Sequence, residues 1–310
     1  MLEENNAIAG SPQDPNLRWT HLPPSTVSKK LAEKDLNVSP YLVERIYDYL
    51  NLRRRKMSKS KTMKQVAHRD EQFQYIAQLR AAFLEAGLPV LSLDTKKKEM
   101  LGNFYRRGYG YGTAALAVND HDFASFSTGI VIPHGIYDVG QNRGYLTLGV
   151  SKDTSAFLCD NLGHFWLSDL QWRYREAEMA LLLCDGGGSN NASHYIVKED
   201  LYRLAQQLEI TLVVAHYPAY CSKWNPIEHR FFCHVSRSWE GVCFTNLELV
   251  KALAEQTSTQ TGLEVSVWVN RGEYATGRSF RPEFKEKVKE YIDFSAHLPK
   301  WNYSIHPSIL

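Results

Sequence analysis

Three short apolar runs, each followed at once by a polar, turn-rich segment, constrain this chain more than anything else in it. Pro89-Val-Leu-Ser-Leu93, Met179-Ala-Leu-Leu-Leu-Cys184 and Ile210-Thr-Leu-Val-Val-Ala215 have the length and composition of buried strands. The first runs straight into Asp94, and the second into Asp185-Gly-Gly-Gly-Ser-Asn190. The third leads through a turn-rich stretch to Asn225-Pro-Ile-Glu228, where Asn225 suits an N-cap and Pro226 the first helical position. Glu228 then falls in the first turn of a helix, where the helix dipole favours a carboxylate. Alone, Glu228 reads as a capping-region glutamate. Two more carboxylates at strand ends make it one of a set.

The chain between these runs supplies the rest of a sheet. Gly129–Asp138 and Gly144–Val150 flank the turn Val139–Arg143 and predict a hairpin. Helical patterns cover Asp70–Ala86, with Gly87 as stop, then Thr154–Trp172 and Ile196–Leu208. Residues 101–125, rich in glycine and tyrosine, read as an irregular excursion. Three antiparallel strands followed by two strand–helix crossovers predict an α/β fold, an RNase H-like mixed sheet flanked by helices. All three carboxylates fall where that fold places a metal site.

Ahead of it, residues 1–17 read as a loose end, and residues 18–69 as a small all-α helix-turn-helix segment. Its first helix begins near Ser25. Its second opens with Ser39 as cap and Pro40 at the first position, with Leu42, Val43, Ile46, Tyr49 and Leu50 on the apolar face. The catalytic domain is expected over 70–310. Net charge is only +2, yet residues 1–70 hold 13 Lys/Arg against 8 Asp/Glu. The excess is densest in Arg53, Arg54, Arg55, Lys56, Lys59, Lys61, Lys64 and Arg69, with no acid among residues 51–69. Such a run is either a solvated linker or an arm for the phosphates of a nucleic acid. Five irregularly spaced cysteines fit a reducing cytosol, and no apolar run approaches a membrane span.

Two hard divalent cations about 3.5–4 Å apart activate a nucleophile and stabilise the leaving oxygen of a phosphodiester. Asp94, Asp185 and Glu228, converging from separate elements, suit Mg2+ or Mn2+, which take carboxylate and water oxygens. The glycines after Asp185 let backbone approach a phosphate closely, although a flexible loop is the alternative reading. Lys96, Lys97 and Lys98 follow Asp94, and Lys223 and His229 flank Glu228; all five are placed at the DNA, against the alternative of solvated turns. Glu99, Asp138 and Glu240 are expected to tolerate loss of charge. Cys221, His229, Cys233 and His234 match no common zinc spacing. Trp166, Trp172 and Trp239 are expected in core or interface packing.

With these residues in hand, the chain resembles the ISAzo family of insertion-sequence transposases, the Rhodopirellula-type DDE domain. The resemblance rests on Leu17-Arg-Trp19, Asp94-Thr-Lys-Lys-Lys-Glu-Met-Leu-Gly-Asn-Phe104, Val118-Asn-Asp-His-Asp-Phe123 and Gly135-Ile-Tyr-Asp138. It continues in Asp185-Gly-Gly-Gly-Ser-Asn190, Ser222-Lys-Trp-Asn-Pro-Ile-Glu-His-Arg-Phe231, Thr257-Ser-Thr-Gln-Thr-Gly-Leu263 and Trp301-Asn-Tyr303. Asn-Pro-Ile-Glu alone is also similar to mariner-like transposases; Asp-Thr-Lys-Lys-Lys-Glu separates the two. The resemblance implies an acid triad of Asp94, Asp185 and Glu228. It implies double-stranded DNA as partner, both terminal inverted repeats and target, and a homo-oligomer assembled on it in the bacterial cytosol. Family members carry further sequence before Leu-Arg-Trp, so this copy is expected to be shortened. A metal nuclease of the same fold, or a silent DNA-binding regulator of transposition, are the competing readings.

Overall fold

The computed structural model describes residues 20–55, 66–187 and 193–307. The chain divides into two compact units, Met1–Met63 and Lys64–Leu310. Residues 1–17, Leu17–Trp19, Lys56, Lys59, Lys61, Lys64 and Gly188–Asn190, all singled out above, lie outside the described residues.

The first unit holds α1 (Pro24–Ala32) and α2 (Pro40–Tyr49). Ser39 caps α2 as expected, its side chain accepting the Leu42 N–H at 3.2 Å. The apolar face of α2 differs from the expected one. Val43 is buried against Leu22 and Val27 with Tyr47 packed beside them, while Leu42, Ile46 and Tyr49 are exposed. Tyr47 donates its hydroxyl to the Leu22 carbonyl at 2.9 Å. Among the described residues of the unit, α2 packs on α1 and on Leu22, beside Val38, which a narrow stripe at 43 and 47 satisfies.

Among the described residues of the second unit, nine strands form one sheet: β1 (Val90–Thr95), β2 (Glu99–Leu101), β3 (Gly129–Asp138), β4 (Arg143–Gly149), β5 (Met179–Cys184), β6 (Thr211–His216), β7 (Glu264–Asn270), β8 (Ile292–Phe294) and β9 (Asn302–Ile305). Their order is β7-β4-β3-β1-β5-β6-β9-β8, with β2 on β3. Within it, β4-β3-β1-β5-β6 is the predicted RNase H-like core: an antiparallel trio, then two parallel strands brought in by crossovers. β7 adds in parallel to β4, and β9 antiparallel to β6. Hence β1, β4, β5, β6 and β7 all point the same way. Their carboxyl ends share one edge of the sheet, the edge on which Asp94 and Asp185 stand.

Helices cover both faces: α3 (Arg69–Glu85), α4 (Ser155–Phe165), α5 (Gln171–Arg173), α6 (Tyr195–Leu208), α7 (Cys233–Ser238), α8 (Leu247–Glu255), α9 (Pro282–Glu286) and α10 (Val288–Tyr291). α4 passes through a π turn at Trp166–Leu170 into α5, so the predicted helix to Trp172 is continuous but widened. One face buries Leu91, Leu93 and Ile136 against Leu158, Leu162 and Leu201 of α4 and α6. The other buries Tyr137, Leu146 and Leu148 against Ile227, Phe231 and Val235, and Val90 and Leu181 against α3. Trp166 and Trp239 are buried in these layers, whereas Trp172 is exposed and takes no part in the core. Among the described residues no helix is long and apolar enough to cross a membrane.

Candidate active site

Asp94 is the penultimate residue of β1, and only 7% of it is exposed. The Thr95 N–H donates to its Oδ1 at 2.7 Å, which fixes the carboxylate at the strand end. Asp185 follows β5 directly, its Oδ1 3.4 Å from the Gly187 N–H. The adjacent strand closes in from the other side: Tyr217 N–H donates to the Cys184 carbonyl at 2.8 Å, and His216 Nδ1 lies 3.2 Å from the Asp185 carbonyl.

Glu228 arrives by a different route from the one the sequence suggests. Asn225 precedes the helix, but its side chain makes no cap. It is fully buried, donates to the Leu93 carbonyl at 3.0 Å and accepts from Ser92 Oγ at 2.5 Å. The cap comes from β1 instead, because Ser92 Oγ also accepts the Ile227 N–H at 3.0 Å. A strand hydroxyl two residues before Asp94 thus holds the helix start that bears Glu228. Glycine completes the approach. Gly135 pairs with Asp94 in the β1–β3 ladder, and a Cβ there would overlap Phe232 and Ile227; one at Gly144 would overlap Phe231. The helix lies on the sheet because those two positions have no side chain. Its first turn is π-helical from Glu228 to Phe232, a wide form frequent at functional sites.

The electrostatics record the convergence. Burial, and next the charge of Asp185, push the Asp94 carboxyl up to about 8. The Thr95 N–H opposes this, while Glu228, by charge and from within hydrogen-bonding reach, adds to it. Asp94 therefore holds a proton at neutral pH that an ordinary aspartate has lost. Among the described residues no three side chains of ligating type already close on one point tightly enough to hold an ion. The donor set is nonetheless suited to one: three hard carboxylates on one sheet edge, two of them raising the pKa of the third, fit Mg2+ or Mn2+ once they draw together.

The basic residues divide. Lys96 donates to Glu99 at 3.1 Å and lies over the Trp239 ring at 5.2 Å, its side chain 16% exposed. Arg106 pairs with the same Glu99 and stacks on Phe244 at 3.4 Å, so Lys96 belongs to a packed internal ion pair. Lys97, Lys98 and His229 are exposed, as is Lys223, whose ammonium lies 5.2 Å from its neighbour Trp224. Arg53, Arg54 and Arg55 are exposed on the first unit. Cys221 is buried, while Cys233 is exposed and donates to the His229 carbonyl. Two of the acids expected to tolerate loss of charge are structural. Asp138 is fully buried and accepts from the Gly140 and Gln141 N–H groups and the Tyr174 hydroxyl. Glu99 is the anion of the pair just described. Ser92, Gly135 and His216 escape sequence reading, since no local signal says which partner a strand residue meets across the sheet.

A family model described as the Rhodopirellula transposase DDE domain matches residues 2–307. No curated protein sequence matches the chain. Among solved structures, the Mos1 transposase paired-end complex with left transposon end is similar at TM-score 0.46 and 15% identity, over 81% of this chain and 69% of that one. The mariner Mos1 paired-end complex with Mg gives TM-score 0.46 and 15% identity over 80% and 76%. The Mos1 mariner paired-end complex with Mn gives 0.44 and 14% over 81% and 76%.

Proposed function

The chain belongs to the Rhodopirellula transposase DDE domain family, polynucleotidyl transferases, and from that premise we propose that it cuts the ends of its own insertion sequence and joins them to target DNA with Asp94, Asp185 and Glu228 as the acid triad. One observation carries the assignment of residues: carboxylates from β1, β5 and the helix after β6 stand at one sheet edge, and burial, then the charge of Asp185 and less that of Glu228, raise Asp94. Elsewhere in this chain, buried Glu199 is paired with Arg281 and buried Asp200 with Arg278.

Asp94, Asp185 and Glu228 would hold Mg2+ or Mn2+, two ions in the full site, which supply charge for a phosphodiester transition state and lower the pKa of water. In the first step water attacks phosphorus at the element end. The bond to the 3′ oxygen breaks, leaving a 3′-hydroxyl and a 5′-phosphate. In the second step that hydroxyl gives up its proton and attacks a target phosphodiester, forming a new 3′ ester; the bond to the target's 3′ oxygen breaks and that oxygen takes up a proton, so none is released net. The protein contributes positioning and a fixed field. Thr95 N–H and the Ser92–Asn225 bolt hold the carboxylates in place. Lys97, Lys98, Lys223 and His229 would meet DNA phosphates at the edge. Residues 18–69, with Arg53–Arg55 and the arm that continues to Lys61, would bind the terminal repeats, while 70–310 catalyse. Cutting both ends of one element calls for at least two copies on the DNA, in the cytosol where that DNA lies.

The test compares metal-dependent nicking and joining of element-end DNA by the parent, Asp94→Asn, Asp185→Asn and Glu228→Gln. Each variant is expected to fold, to bind DNA and to lose both activities. Glu240, exposed, is the control; Glu240→Gln keeps them. Normal nicking by folded Asp185→Asn would overturn the triad. Nicking without joined product would leave a nuclease.

A further inference from the structure

Strand β9 and its Trp301-Asn-Tyr303 segment take no part in the chemistry just described, yet they converge on one buried histidine. His216 ends β6 and is 1% exposed. Its Nδ1 lies 3.2 Å from the Asp185 carbonyl oxygen and its Nε2 3.2 Å from the Tyr303 hydroxyl. A carbonyl can only accept, so Nδ1 carries the ring proton. Nε2 keeps its lone pair and accepts from the tyrosine. The two partners together specify one tautomer and one ring orientation.

The main chain of His216 is gripped from both directions. Its N–H donates to the Trp301 carbonyl at 3.0 Å, and its own carbonyl accepts from Gln72 Nε2 at 2.9 Å. Gln72, on α3, exchanges two amide hydrogen bonds with Asn302, each 2.7 Å. Gln72 and Asn302 are buried, and Asn302 pairs with Ala215 in the β6–β9 ladder. Each residue of Trp301–Tyr303 therefore reaches His216, either directly or through Gln72. On the far side of the imidazole lies the peptide of Asp185, at the point where the chain leaves β5 for Gly186 and Gly187.

We propose that His216 is the positioning residue of Asp185, clamping its peptide through Nδ1–H, and that Trp301-Asn302-Tyr303 sets the place and tautomer of that clamp. The assignment rests on Asp185 being a carboxylate of the proposed triad. Glycine adds little backbone stiffness of its own, and His216 holds the carbonyl end of Asp185 from the neighbouring strand. Groups that orient ion-binding side chains from behind typically change metal affinity about 10–100-fold when removed.

The test uses the full chain with His216→Leu, His216→Asn and Tyr303→Phe. Three quantities are read: the Mn2+ concentration that half-saturates the thermal upshift, deuterium uptake in the peptide spanning residues 183–187, and element-end nicking at saturating Mn2+. His216→Leu is expected to raise the half-saturating Mn2+ about tenfold or more and to speed exchange in 183–187 above its effect elsewhere. His216→Asn carries an amide N–H where Nδ1–H stood, and is expected to recover most of both losses. Tyr303→Phe keeps the ring but frees the tautomer, with a rise of a few fold; it decides the matter if His216→Leu does not fold. Parent-like Mn2+ uptake and exchange in folded His216→Leu would overturn the clamp. So would His216→Asn performing no better than His216→Leu, which would reduce His216 to packing. If the parent itself takes up no Mn2+, the triad reading fails, and exchange in 183–187 still decides whether His216 fixes Asp185.

Discussion

Ser92 and Asn225 share a hydrogen bond of 2.5 Å between two groups that are both fully buried, and through it the strand bearing Asp94 holds the helix bearing Glu228. Ser92→Ala strips Asn225 of its donor and the Ile227 N–H of its acceptor. A buried polar group left without a partner costs about 1–3 kcal/mol, and this change leaves two. A urea titration is expected to show a loss in that range or above, at an unchanged slope. Ser39→Ala, at an exposed cap, is expected to cost about 1 kcal/mol. Equal losses for the two would mean that the Ser92 bridge contributes no more than an ordinary cap.

This bridge also marks how far the sequence can be read. Asp94, Asp185 and Glu228 are visible in it because each ends or follows a run whose secondary structure is encoded locally: apolar β-branched stretches, a glycine run, and Asn-Pro ahead of a helix. The five-strand core was legible on the same grounds. Local signal does not say that Asn225 would turn away from its own helix, since its partners Ser92 and Leu93 are more than 130 positions away in the chain. Nor does it separate Lys96, bound to Glu99 and Trp239, from Lys97 and Lys98, which have identical side chains. The alternation in Glu264-Val-Ser-Val-Trp-Val-Asn270 does carry a strand signal, and β7 was within reach of it; β8 and β9 are three and four residues long and are fixed by the sheet they join.

Gly135 gives a second test of the same convergence. A methyl group there meets Phe232 and Ile227 with no room on the opposing side, because β1 and Asp94 lie alongside. Overpacking of this kind costs about 1–3 kcal/mol. Gly135→Ala is also expected to raise the Mn2+ needed for half the thermal upshift, since relief requires the Glu228 helix to lift. Gly129→Ala, where the nearest atom would be a Leu101 methyl at 3.4 Å, serves as control and is expected to be neutral. A stable Gly135→Ala with unchanged Mn2+ uptake would show that the helix is seated elsewhere.

Arg53, Arg54 and Arg55 are exposed in the first unit, so their effect on DNA is readable without disturbing the sheet. Each cation that meets a phosphate of duplex DNA contributes about 0.9 to the slope of log affinity against log salt. Replacing all three by Gln is expected to flatten that slope by about 1–3, while nicking per bound complex stays near the parent's. An unchanged slope would assign the run to a solvated linker.

The last prediction concerns stability against pH, and it follows from three buried groups with opposite shifts. Burial pushes the His134 imidazole down to about 3 and that of His216 down to about 4. Neither ring nitrogen of His134 has a hydrogen-bond partner among the described residues. Below pH 6.5 the unfolded chain takes up protons on both histidines that the folded chain refuses, so stability falls as pH drops through that window. Asp94 acts the other way. Its folded pKa of about 8 lies above the ordinary 3.8, so its contribution is full below 3.8 and is lost as pH rises through about 8. Each group is worth at most about 1.4 kcal/mol per pH unit. From pH 6.5 down to 4, two histidines oppose one aspartate and the fold weakens on acidification. From 6.5 up to 8, Asp94 acts alone among the three and the fold weakens again, by about 2 kcal/mol. Without divalent cation the parent is therefore expected to be most stable near pH 6.5. Asp94→Asn should abolish the alkaline loss and steepen the acid one, and His134→Leu should make the acid limb shallower. Mn2+ should flatten the alkaline limb of the parent but leave that of Asp94→Asn unmoved, because a cation replaces the proton only where the carboxylate exists to receive it. Melting curves from pH 4 to 8, with and without Mn2+, read all of this. An alkaline limb that persists in Asp94→Asn would place the repulsion on some group other than Asp94.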